Sequence, residues 1–243
     1  MTRKAIETIE NDWDALFRDY PEIYDEFASV KMRPPIGEVI NAHFPLKGKV
    51  VLDVGCGTGR PTLKLAEYAS SVIGVEPERS MRDVAVSHAR ERAITNVEFL
   101  AGRAENVPLP DHSVDIVVAV TLQTLHNEEN IRQFVREAER VVKPGGSIVT
   151  VNIAPTWYGG ELGPIIYGKP RRLILLPDEE ERDKGFAGLG FSYRDFDCSH
   201  DYGSVEKAGR TYGFIFGRKA IDYIKENEKT VIKFRYRMHY KSC

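Results

Sequence analysis

Residues 50–59 read Val-Val-Leu-Asp-Val-Gly-Cys-Gly-Thr-Gly, a short apolar run that passes directly into Gly55, Gly57 and Gly59. A β-branched run of this length bounded by glycine predicts a buried parallel strand that turns tightly into a helix. The missing Cβ atoms let a ligand or the helix backbone approach closely. The free N–H groups of the next helix then face whatever binds there. Dinucleotide-binding loops space their glycines as G-x-G-x-x-G. Here the third glycine comes one residue early, and Arg60 stands where that pattern has glycine.

Working outward, Val72-Ile73-Gly74-Val75-Glu76 reads as a second strand ending in a carboxylate, 19 residues after Gly57 and followed by Pro77. An acid at that strand tip is placed to accept hydrogen bonds from both hydroxyls of a ribose. Further strands are expected at 97–100, 111–120 and 147–152, with helices at 60–69, 80–93 and 128–142 between them. This alternation predicts a parallel sheet with helices on both faces and right-handed crossovers. In such sheets ligands bind at the C-terminal strand ends, where Asp53, Glu76, Glu105 and the residues after Val120 all fall.

The loop Gly55-Cys56-Gly57-Thr58-Gly59, with Asp53 two residues before it, resembles motif I of the class I S-adenosylmethionine-dependent methyltransferases. The resemblance continues through Glu76 and through Gly102-Arg103-Ala104-Glu105-Asn106-Val107-Pro108-Leu109-Pro110, which is similar to the family's adenine-contacting turn. Lys143-Pro144-Gly145-Gly146, ahead of the fifth core strand, is a further match. The resemblance implies a doubly wound, Rossmann-like α/β fold of seven strands, mostly parallel, with an antiparallel last strand inserted beside the fifth. It implies S-adenosylmethionine as cofactor and S-adenosylhomocysteine as product. The implied cofactor residues are Asp53, Gly55, Cys56, Gly57, Thr58, Gly59, Glu76, Pro77, Met81, Ala104, Glu105 and Thr121. Arg103 stands where many members carry aspartate, so the resemblance implies backbone contacts at Ala104 rather than a side-chain contact from 103.

Each assignment has a plainer counterpart. For Asp53 it is a turn former, with the cofactor role preferred; Met81 is equally ordinary core, and Cys56 is a small spacer rather than a nucleophile, having no base beside it. His126, after the fourth core strand, has the chemistry of a base near neutral pH but equally suits the head of a helix; no catalytic residue is assigned. Tyr20 and Tyr24 precede the core in a segment that family members commonly fold over the cofactor, although packing explains them as well. Arg33 and Arg60 are both candidates for the cofactor carboxylate.

Composition sets outer limits. The chain of 243 residues is 42% apolar and 29% charged with a net charge of −2, which offers no global attraction to nucleic acid or acidic membranes. Cys56, Cys198 and Cys243 have no metal-ligand spacing, no apolar run approaches a membrane span, and no signal sequence is recognised. A cytoplasmic protein without a metal is therefore expected, its oligomeric state open.

One domain is expected, with a helical cap at 1–45, a cofactor core at 46–152 and a substrate-side region at 153–243. The cap should hold a helix from about 5 to 19, a second helical piece over 22–30, and a third over 35–44. Past Asn152, residues 154–177 are rich in Gly, Pro and aromatics and have no period, as in a functional cover. Acidic residues 178–181 open a helix, 191–200 read as a strand, Ser204 caps a helix reaching about Asn227, and 230–240 alternate as a closing strand.

The chain lacks an Asn- or Asp-Pro-Pro-aromatic sequence after the fourth core strand and a Pro-Cys pair, so nucleobase acceptors are not indicated. The expected function is transfer of a methyl group from S-adenosylmethionine to a small-molecule acceptor. A non-catalytic S-adenosylmethionine-binding protein and a nicotinamide oxidoreductase are the alternatives.

Overall fold

The computed structural model describes residues 8–10, 12–175 and 177–243. The apolar and alternating runs become eight strands among these residues: β1 (Lys31–Arg33), β2 (Val50–Val54), β3 (Ser71–Val75), β4 (Val97–Leu100), β5 (Val114–Val120), β6 (Val142–Ile153), β7 (Ser192–Asp201) and β8 (Val231–Ser242). They form one sheet in the order β1-β7-β8-β6-β5-β2-β3-β4. The central strands β6-β5-β2-β3-β4 pair in parallel, whereas β8 runs antiparallel to β6 and β1 antiparallel to β7. Strand order reverses at β2, whose neighbours are β3 on one side and β5 on the other.

The doubly wound Rossmann-like expectation is correct, with eight strands instead of seven. The added strand is β1, whose Lys31, Met32 and Arg33 pair with Asp201, His200 and Ser199. Arg33 precedes Pro34, and a residue before proline is pushed out of the helical region into extended backbone. That leaves a short straight segment able to pair with β7.

By internal contacts the chain divides into two compact units. One comprises Met1–Arg33, Thr156–Ile174 and Asp197–Arg235; the other comprises Pro34–Pro155, Leu175–Phe196 and Tyr236–Cys243. In the second unit β2 is buried almost throughout, as expected of a parallel strand covered on both faces. Its core joins Leu52, Val54, Val117 and Ala119 of the strands to Ile131, Phe134, Val135 and Ala138 of the helix Glu128–Val141. Lys143-Pro144-Gly145-Gly146, expected as a turn before a strand, lies within β6 as an irregularity. Val142 pairs with Val114 but Ser147 pairs with Ile116, so the intervening residues fall out of register.

In the first unit the aromatic residues pack on one another. Trp13 donates its indole N–H to the Tyr158 hydroxyl and lies edge-on to Phe27 and Phe216, at 6.1 and 6.2 Å between ring centres. Tyr212 lies 4.4 Å from Phe216. The N-terminal helix runs over Trp13–Asp19 with Asp12 capping Ala15 N–H at 2.9 Å. Of the expected span 5–19, residues 5–7 and 11 lie outside the described residues, while Ile9 and Glu10 are not helical. The other two helices of the expected cap are Pro21–Ala28 and Ile36–His43.

The single helix expected over 204–227 is instead broken. Ser204 does cap it, accepting from Lys207 N–H at 3.1 Å, but Val205–Ala208 gives way to a π-helix at Gly209–Gly213. A second helix, Arg218–Glu226, starts after Gly217, whose φ of +93° and ψ of −179° only glycine adopts readily. A Cβ on Gly213 would lie 2.6 Å from Ile221 Cγ1, so the two segments approach too closely for a larger residue.

His200 gives the first unit a pH dependence. Its ring is 5% exposed and 4.3 Å from Phe234, and burial pushes its pKa down to about 3. Below its unfolded value of about 6.5 the unfolded chain takes up a proton that the folded chain refuses, so stability falls as pH drops. This loss should approach about 1.4 kcal/mol per pH unit well below 6.5. Urea titrations at pH 7 and pH 5 should show the decrease shrinking by about 1–2 kcal/mol in His200→Phe relative to the parent; an equal decrease in both would refute the assignment.

Candidate functional site

The site is built in the second unit where β2 ends. β2 and β3 pair residue for residue, Val50 with Ser71 through Val54 with Val75, which brings Gly55 beside Glu76. The Gly55 and Cys56 N–H groups both donate to the Val75 carbonyl, at 2.8 and 3.2 Å. Gly55, Gly57 and Gly59 have φ of +72°, +54° and +78°, so each turns the chain through left-handed backbone that disfavours a side chain. The helix Arg60–Leu65 starts immediately afterwards, with Pro61 in its first turn.

Glu76 is 9% exposed, and its carboxylate is fixed on both oxygens. Oε2 accepts from Gly57 N–H and Oε1 from Glu78 N–H, each at 3.0 Å. Burial raises its pKa, against the pull of those two N–H groups. Asp53 is 1% exposed and accepts from the Thr62 hydroxyl at 2.6 Å. Burial pushes its pKa up to about 7; the Thr62 bond opposes this and the Glu76 charge adds to it. Cys56 is equally buried. Burial first, then the charges of Asp53 and Glu76, drive its thiol upward, so it is a packed spacer and no thiolate.

The remaining expected residues lie on the neighbouring turns and helix. Thr58 and Met81 are buried, while Pro77 is exposed at the turn after β3. Ala104 and Glu105 sit in a tight turn closed by a two-residue bridge between Arg103 and Asn106. Ala104 is half-buried against the core, and the Arg103 and Glu105 side chains are exposed. Thr121 follows β5 and donates its N–H to the Val151 carbonyl at 2.7 Å, with φ of +49°. A β-branched residue in left-handed backbone carries about 1–3 kcal/mol of strain. Thr121→Asn should therefore raise Tm by a few degrees; an unchanged or lower Tm, read by calorimetry, would show the strain to be absent.

His126 is exposed, with Nδ1 3.1 Å from the Gln123 carbonyl oxygen. Arg60 reaches back over the loop, its Nη2 3.4 Å from His88 Nε2. Arg33, Tyr20 and Tyr24 belong to the other unit.

Several supporting residues escaped sequence reasoning. His88 Nδ1 lies 3.0 Å from the Thr58 carbonyl and steadies the glycine loop from the helix Arg79–Glu91. Its place on the stripe of Met81, Ala85 and Ala89 was the available signal. Arg82 donates to the carbonyls of Glu76 and Pro77, both at 2.6 Å, and holds the strand tip. The segment 107–111 is held by the helix Glu128–Val141. Glu137 accepts from Val107 N–H at 3.0 Å, and Arg140 donates to the carbonyls of Val107 and Leu109 and to Asp111. Beside β6, Asp183 lies 3.0 Å from His239 Nε2 and pairs with Arg237, and Thr150 and Asn152 are buried next to them in register. No cluster of three or more candidate metal ligands occurs among the described residues, and no helix among them is long and apolar enough to cross a membrane.

A glycine loop at a sheet's reversal point, with an acid clamped at the neighbouring strand tip, is the arrangement of the doubly wound folds whose ligands bind at the strand ends. Residues 52–150 match the sequence model of a methyltransferase domain family. The uncharacterized methyltransferase YcgJ of Bacillus subtilis (strain 168) is 38% identical over 102 residues, covering 42% of this chain and 40% of that protein. The crystal structure of YcgJ covers 86% of this chain and 98% of its own, with a TM-score of 0.56 at 23% identity. A ubiquinone biosynthesis O-methyltransferase of Agrobacterium fabrum is 31% identical over 163 residues, covering 63% of this chain and 64% of that protein. The chain thus spans about 40 to 64% of the length of these two curated relatives. Residues 52–150 thus carry a methyltransferase domain, and the chain shares the fold of YcgJ; together these support a class I S-adenosylmethionine-dependent methyltransferase.

Proposed function

We propose that the protein transfers a methyl group from S-adenosylmethionine to a small-molecule acceptor. The observation that carries this reading is the Glu76 carboxylate, fixed by Gly57 and Glu78 N–H beside the glycine loop. Each of its oxygens keeps a further lone pair, enough for the two hydroxyls of a ribose. The loop backbone at Gly55, Cys56, Gly57, Thr58 and Gly59 would hold the amino-acid part of the cofactor, with Asp53 beneath it. Pro77, Met81, Ala104 and Glu105 would bound the adenine, and Thr121 the reacting end. When bound, S-adenosylmethionine supplies a sulfonium-activated methyl group that passes to the acceptor by in-line displacement.

The chain's own part is positioning. Arg82, His88 and the Glu137–Arg140 pair hold the strand tip, the glycine loop and the 107–111 segment in place before any ligand arrives. Holding two reactants in an aligned, water-poor arrangement accounts for about 7–11 kcal/mol of a barrier in favourable cases. No base is assigned. The net charge of −2 favours a small acceptor over nucleic acid. We take the chain as one functional domain in which 46–152 hold the cofactor and the flanking regions serve the acceptor.

Calorimetric titration with S-adenosylmethionine, S-adenosylhomocysteine and NAD tests the reading. Micromolar binding of the first two supports it, and binding of NAD alone overturns it. Cofactor binding without methylated product across a panel of small acceptors would favour the non-catalytic alternative.

A further inference from the structure

The first unit contains a cleft of about 250 Å³ lined by Trp157, Asp197, Cys198, Ser199, Lys233 and Phe234. Trp157 is only half-buried, yet it is held with unusual care. The preceding residue, Thr156, has φ of +67°, a strained conformation for a β-branched side chain. The Arg171 guanidinium lies 4.0 Å from the centre of the indole and donates to the carbonyls of Thr156, Gly160 and Glu161. The Arg235 guanidinium lies 5.1 Å from the same ring and pairs with both oxygens of Asp197. From the π-helix Gly209–Gly213, Tyr212 donates its hydroxyl to the Gly159 carbonyl at 2.6 Å. Strain held in place by this many partners is characteristic of ligand clamps, and π-helical turns recur at functional sites.

Charge and size select the ligand. Around the cleft stand the cations Arg171, Lys229, Lys233 and Arg235 against the anions Glu161 and Asp197. Asp197 is neutralised by Arg235, and Glu161 is engaged by Lys229 and by Lys233 N–H. Lys233 lines the cleft with an exposed side chain; its charge acts on Asp197, but it makes no ion pair within 4 Å among the described residues. The volume is below the roughly 300–1,000 Å³ of pockets for larger ligands, so a single ring fits.

We infer that this cleft is a binding site for a small aromatic carboxylate. The ring packs against Trp157, and the carboxylate takes the Lys233 ammonium and the Ser199 hydroxyl. The site uses none of the glycine-loop residues, and the inference stands whether or not that loop serves methyl transfer.

The chain has two tryptophans, Trp13 and Trp157, so indole fluorescence reports on the cleft. Titration with benzoate should give saturable quenching that disappears in Trp157→Phe. Affinity should fall about tenfold or more in Lys233→Gln and be restored in Lys233→Arg, as loss and return of one charge-assisted hydrogen bond require. Benzylamine and cyclohexanecarboxylate should each bind at least about tenfold more weakly than benzoate, the first for its charge and the second for its missing ring. Near-UV circular dichroism of each variant verifies the fold. Quenching that survives in Trp157→Phe, equal binding of benzylamine, an unchanged affinity in Lys233→Gln, or no saturation by a folded parent protein would each overturn the inference. S-adenosylhomocysteine titrated into the same samples separates its failure from failure of the methyltransferase reading.

Discussion

Glu76→Ala is expected to weaken S-adenosylhomocysteine binding by at least about 100-fold, because two charge-assisted hydrogen bonds are worth about 1.5–3 kcal/mol each. The substitution also strips the acceptor from the buried Gly57 N–H and from Glu78 N–H, so the loop loses its fixed shape together with its ligand contact. Glu76→Gln should fall between the two, since an amide keeps one oxygen acceptor and presents an NH₂ where the other oxygen stood. Burial raises the Glu76 pKa, and on the proposed reading the carboxylate would accept from two ribose hydroxyls only when ionised. Affinity should therefore decline with falling pH, starting above the usual glutamate range, and this dependence should shrink in Glu76→Gln to what the titration of Asp53 near 7 leaves. Calorimetry at pH 8 and pH 5 checks both statements. Parent-like affinity in Glu76→Ala would remove the residue from the site.

Gly59→Ala should cost about 3 kcal/mol of stability and lower Tm by roughly 6–12 °C. Two effects add here. The left-handed φ of +78° opposes any side chain, and a Cβ would stand 2.8 Å from Ala85 Cβ and 3.0 Å from Phe99 Cζ. Ala85 lies on the helix Arg79–Glu91 and has no flexible end to move away. The double substitution Gly59→Ala/Ala85→Gly should recover the contact part of the loss but not the backbone part, leaving a deficit of about 1–2 kcal/mol plus the cost of glycine in a helix. Thermal melts of both variants decide the matter. A neutral Gly59→Ala would mean that the loop accommodates a side chain and that its spacing is not imposed by packing.

The same helix shows where sequence reading succeeds and where it stops. Met81, Ala85 and Ala89 recur at helical spacing, so the buried stripe is visible in one dimension. His88 lies on that stripe too, but its bond to the Thr58 carbonyl joins residues 30 apart in the chain, and no local pattern records it. Gly217 shows the opposite failure. A continuous amphipathic pattern over 204–227 hid a break that the backbone makes at Gly217 and that brings Gly213 close against Ile221.

What the sequence by itself determined were features written locally. These are the parallel strands as β-branched runs, the loop as alternating glycines, the acid at the tip of β3, and the antiparallel closing strand as a period of two. Each follows from backbone preferences and side-chain periodicity within about ten residues. The tertiary structure alone decided the strand at Lys31–Arg33, the two-sided fixing of Glu76, the hold of Arg140 and Glu137 on 107–111, and the clamping of Trp157 by Arg171 and Arg235. In most of these a charged or polar group finds its partner across a distance in sequence that only the folded chain closes. The energy of such a contact depends on burial and geometry, and neither is a property of the residues taken one at a time.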